Sequence, residues 1–199
     1  MESHLTVLLP LAAVWLAAGW LADGLPRLDH ALALRRRTGW VLTLTLTGLG
    51  LTAAVLVAGL SSAGATPADR AAAGLGLAAA PALVVAACGV RRMRRLRAGA
   101  RALASAPGTP APHGLRAAAA HPLIGLPVQL TGLAMLPAVA AAGTPGLLSG
   151  PGVTGPAITL GVLGVAAIGV RHALRHNRLV ERALPAGTAS ARAASPLHV

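Results

Sequence analysis

The 199-residue chain contains no lysine, no phenylalanine and no tyrosine, and it has one cysteine, one asparagine and one glutamine. The single thiol, Cys88, rules out an internal disulfide and a cysteine-built zinc site. Lying in an apolar run, it reads as small packing material. Five acidic residues face seventeen arginines, for a net charge of +12. Charged residues make up only 11% of the chain, against roughly 25% in a soluble domain. Too few polar groups remain to cover a globular surface, so a bilayer is the expected solvent for much of the length. The aromatics are Trp15, Trp20 and Trp40. None lies among the later arginines, so the base-stacking that nucleic-acid binding needs is absent there and no nucleic-acid partner is expected.

What is present is Ala, Gly, Pro, Leu and Arg. With 55% hydrophobic residues and a mean hydropathy of +0.68, the composition follows GC-rich codons and points to a high-GC bacterium. Arginine in place of lysine is therefore no sign of bidentate anion recognition.

Five windows are apolar enough to cross ~30 Å of hydrocarbon as helices. They run approximately over 5–22, 39–60, 71–90, 122–142 and 152–170. The first has no basic region before it and no small-residue cleavage site after it, and reads as a retained span rather than a signal peptide. Arg27, Arg35, Arg36 and Arg37 follow the first span, seven arginines from Arg91 to Arg116 follow the third, and five from Arg171 to Arg192 follow the fifth. The other side holds Arg70 alone. Basic loops stay in the cytoplasm, which predicts an all-α, five-span bundle of the plasma membrane with its N-terminus outside and its C-terminus inside. Trp20 and Trp40 fall at the expected inner interface, where indole rings settle.

The outer connections are too short for a domain. Inside, the segment 91–121 is the largest polar piece. Met93, Leu96, Ala100 and Leu103 recur at helical spacing, a stripe expected to lie at headgroup level or dock on the bundle. Residues 185–199 read as a disordered tail. Small residues at Gly48 and Thr52, and at Ala157, Gly161 and Gly164, are candidate helix-contact faces. Prolines 10, 81, 127, 137 and 156 are expected to kink or tilt the spans.

No span carries an interior charge, so an ion-coupled transporter working alone is disfavoured. Gln129 is the strongest polar group at depth, expected to bond a neighbouring helix. His121, His172 and His176 are the candidate metal ligands, the last two spaced i, i+4; the pattern lacks a carboxylate motif, and neither metal nor cofactor is assigned. Arg171, Arg175, Arg178 and Arg182 align within a narrow stripe of one helix, a candidate contact for anionic lipid or a protein partner. The leading expectation is a non-enzymatic accessory, assembly or scaffold subunit acting through its basic inner face, with lipid, a membrane protein or a second copy as partner. A permease component energised by a separate subunit is the alternative, and a membrane enzyme or redox protein using the inner histidines the third.

Overall fold

The computed structural model describes residues 2–61, 67–104, 106, 108–143 and 154–184. Among these the chain is helical and contains no strand. Helix α1 is Glu2–Asp23, α2 Ala31–Ser61, α3 Pro67–Gly74, α4 Gly76–Val84, α5 Val90–Leu103, α6 His113–Ala119, α7 Pro122–Gly143 and α8 Thr154–Ala183. A 3-10 turn at Leu25–Arg27 follows α1, and a π turn at Val85–Gly89 joins α4 to α5. Four stretches are long and apolar enough to cross a membrane: Leu5–Arg27, Ala31–Ser61, Gly76–Leu103 and His113–Ala140. Their long uncharged runs suit lipid, and a helix suits them because only intrahelical bonds satisfy the backbone there. The expected fifth span, 152–170, begins outside the described residues and otherwise forms the first half of α8.

Two differences from the sequence reading have physical causes. The third span, expected at 71–90, breaks at Leu75 and runs instead over Gly76–Leu103, straight into the arginines. Helical hydrogen bonding does not stop where the side chains become charged. Within that span Pro81 has no N–H to donate, and the π turn follows it. Val85 and Gly89 face inward there, and Cys88 between them is exposed rather than packed. The stripe on α5 takes one of its two expected places, docked on the bundle, where it meets α2. Met93, Leu96 and Ala100 are buried and only Leu103 is exposed, while the Thr45 hydroxyl lies 3.9 Å from the Met93 sulfur.

The core is built around α1. Trp15 is fully buried between α2 and α7. Its indole N–H donates to the Thr52 hydroxyl at 3.2 Å, and that hydroxyl donates to the Gly48 carbonyl at 2.7 Å. A Cβ at Gly48 would sit 2.8 Å from the indole ring, so only glycine admits the tryptophan. This is the small-residue face that sequence places on α2. Its counterpart on α8 behaves differently: Gly161 faces open space, and Leu160, Val162 and Leu163 are exposed. Around Gly161 α8 thus stands away from the bundle, and at Gly164 it approaches Leu133.

Antiparallel neighbours fix the order of crossing. Gly19 meets Gln129 while Leu16 meets Gly132, and Thr45 meets Met93 while Gly39 meets Arg97. The segments 23–37, 91–121 and 171–182 consequently gather at one end of the bundle. There the Ala31 N–H donates to the Thr109 carbonyl and the Ala111 N–H to that of Asp29, an isolated bridge between His30 and Pro110.

Candidate functional site

The end of α1 is the centre of that basic end. A helix leaves its last carbonyls without intrahelical donors, and its dipole makes a carboxylate there unfavourable. Asp23 nevertheless occupies the position, and arginines from other elements resolve both problems. Arg175 Nη1 donates to the Asp23 backbone carbonyl at 2.9 Å and to its Oδ1 at 3.1 Å. Arg171 Nη2 pairs with the same oxygen. Arg27, one turn on, reaches Oδ2 at 3.5 Å. From α2, Arg37 Nε donates to the Leu21 carbonyl at 3.2 Å while its guanidinium lies 5.5 Å from the Trp20 ring centroid, a cation–π contact. From α6, Arg116 donates to the Pro26 carbonyl at 3.3 Å and pairs with Asp29 at 3.0 Å.

The stripe seen in the sequence therefore divides. Arg171 and Arg175 turn inward onto Asp23, and only Arg178 and Arg182 have no acidic partner among the described residues. Asp23 was visible as the first charge after an apolar run, at a helix end where its sign is wrong. That is the signal by which its role could have been found, but nothing local says that its partners lie about 150 residues away.

Beside this cluster runs a short polar chain. The Gln129 side-chain amide donates to the Gly19 carbonyl at 3.3 Å, and its Oε1 lies 3.0 Å from His172 Nε2. Since the amide nitrogen is committed to Gly19, Oε1 accepts and His172 carries its proton on Nε2. Gly125 makes room for the ring: a Cβ there would lie 2.5 Å from His172 Cε1. His172, just beyond the apolar stretch 152–170, is 6% exposed. Burial is the main influence holding its imidazole below the ordinary 6.5; Asp23 opposes this, and Arg175 and Arg171 reinforce it. Gln129 thus bonds two neighbouring helices, α1 and α8.

The candidate histidines make other contacts. His176 Nδ1 lies 3.2 Å from the Ala117 carbonyl, and its ring is tilted against His121 at 5.1 Å between centroids. His121 Nδ1 accepts from the Leu123 N–H at 3.2 Å. His172 and His176 share one face of α8 yet serve different contacts. Among the described residues no three His, Cys, Asp or Glu side chains gather as a metal-ligand set.

No family model matches the chain, and no curated protein or solved structure matches it. Its chemistry is left to its own residues. They form a basic, hydrogen-bonded platform at one end of an apolar helical bundle, bordered by an open groove of about 1000 Å³ along α8.

Proposed function

We propose that this is a multi-pass protein of a bacterial plasma membrane with five spans, N-terminus outside and C-terminus inside. It works as a non-enzymatic accessory, assembly or scaffold subunit through its basic end. The observation that carries the reading is the use to which the arginines are put. Arg37, Arg116, Arg171 and Arg175 bind backbone carbonyls and the carboxylates of Asp23 and Asp29, tying α2, α6 and α8 to the end of α1 and the turn after it. A second set, including Arg91, Arg92, Arg94 and Arg95, faces outward on α5. The first set builds a rigid platform and the second presents positive charge from it. Such charge at the cytoplasmic surface orients the protein and attracts anionic groups. Gln129 at depth and His172 at the basic end hold helices together, which is a structural use rather than that of a transport path.

The test is photocrosslinking in native membranes from positions Arg94 and Arg95 on the basic end and Leu60 and Leu77 on the apolar surface. Discrete protein adducts from the first pair alone support a subunit acting through its basic end. Protein adducts from Leu60 and Leu77 alone, or none at all, overturn it.

A further inference from the structure

The groove along α8 joins two chemistries on one face. Leu163, Ala167, Val170 and Leu174 line it at steps of three and four residues, and so do Arg171, Arg175, Arg178 and Arg182. That spacing keeps them on one side of a helix, and the side turns from apolar to basic around Val170 and Arg171. Across the groove stand Pro26, Arg27 and Arg116. Asp23 occupies Arg171, Arg175 and, at 3.5 Å, Arg27, and Asp29 occupies Arg116. Arg178 and Arg182 keep their charge unmatched among the described residues, and Glu181 between them pairs with neither. The apolar half is open, with Leu163 59% and Val170 58% exposed. It belongs to the part of α8 before Arg171, which carries no charged residue.

An occupant of this groove must be negative at one end and hydrocarbon along the rest. We propose that it holds one anionic phospholipid, the phosphate between Arg178 and Arg182 and an acyl chain along Leu163 to Val170. A free phosphate would leave the apolar half uncovered. The inference rests on the membrane reading above and deepens it, because it separates a built lipid site from the general charge of the basic end. Guanidinium forks suit phosphate oxygens by geometry as well as charge.

Native mass spectrometry of the purified full chain in mixed micelles, with phosphatidylglycerol as probe and phosphatidylcholine as the neutral control, tests it. The expected result is one phosphatidylglycerol retained per chain in preference to phosphatidylcholine. Arg178→Gln with Arg182→Gln should weaken that retention by roughly tenfold or more, given what each basic residue contributes near an anionic surface. Ala167→Trp, which fills the apolar half without touching a charge, should weaken it as well. Arg94→Gln with Arg95→Gln removes the same charge from exposed positions on α5 and should leave it intact. If the α5 pair weakens retention as much as the α8 pair, the site is refuted while the basic-face reading stands. If glycerol phosphate displaces the lipid at equal concentration, or if Ala167→Trp has no effect, the ligand is a free anion and the lipid assignment fails.

Discussion

Arg175 holds Asp23 by two atoms at once, its Nη1 lying 2.9 Å from the backbone carbonyl and 3.1 Å from Oδ1. Residues 152 positions apart thereby close the end of α1, and the carboxylate that should weaken that helix end becomes the tie to α8. Asp23→Asn removes the charge but keeps the shape, leaving Arg171 and Arg175 without their counter-ion. The side chains are 16% and 22% exposed for Asp23 and Arg175, so the pair is partly screened and its loss should destabilise by about 1–3 kcal/mol. Unfolding by sodium dodecyl sulfate in mixed micelles measures it. A variant as resistant as the parent would show that Arg175 is held by the carbonyl alone.

The bundle was legible in the sequence to the extent that solvent writes it. Lipid-facing helices must be apolar, and 122–142 coincides with α7 to within a residue at each end, while 39–60 lies inside α2, which begins eight residues earlier at Ala31. The alternation of arginine-rich connections likewise anticipated which segments meet at one end. The break at Leu75 and the run of helix past Val90 were not legible, because apolarity marks the bilayer and not the hydrogen-bond ladder. Nor was the fate of the α8 stripe. Helical spacing puts Arg171, Arg175, Arg178 and Arg182 on one face, but whether each meets a carboxylate depends on α1, far away in sequence. The same holds for Trp15, whose place was set by a glycine and a threonine of α2.

That glycine supports a second prediction. Gly48→Ala puts a methyl group 2.8 Å from the indole carbons of Trp15, and overpacking of this kind costs about 1–3 kcal/mol. Gly50, two residues on, has nothing within 4 Å of its position. Gly50→Ala should instead be neutral or stabilising by up to about 1 kcal/mol, since alanine loses less entropy in a helix. Equal effects of the two substitutions on detergent unfolding would contradict the close approach of Trp15.

Orientation is checked independently. Alkaline phosphatase fused after Ser62 or Thr144 should be active, and fused after Ala104 or Pro185 inactive, as expected if the basic end lies in the cytoplasm. Activity at Ala104 reverses the orientation. Activity at both Thr144 and Pro185 removes the first half of α8 as a span.

The pH dependence of stability follows from His172. Its imidazole is buried, its Nε2–H is committed to Gln129, and its affinity for a proton is held below the ordinary value of 6.5. Below pH 6.5 the unfolded chain takes up a proton that the folded chain refuses, so the unfolded state gains as the solution is acidified. The contribution of this residue is fully present above 6.5 and is lost progressively as the pH falls toward the lower folded value. Detergent unfolding of the parent should therefore become easier on going from about pH 7 to about pH 5. His172→Gln removes the titration while leaving a side chain able to bond Gln129, and its profile should be flatter over the same interval. Arg171 and Arg175 repel the imidazolium and Asp23 attracts it, so Asp23→Asn should steepen the loss, the opposite of what His172→Gln does. Parallel profiles for the parent and His172→Gln would mean that another group carries the acid sensitivity.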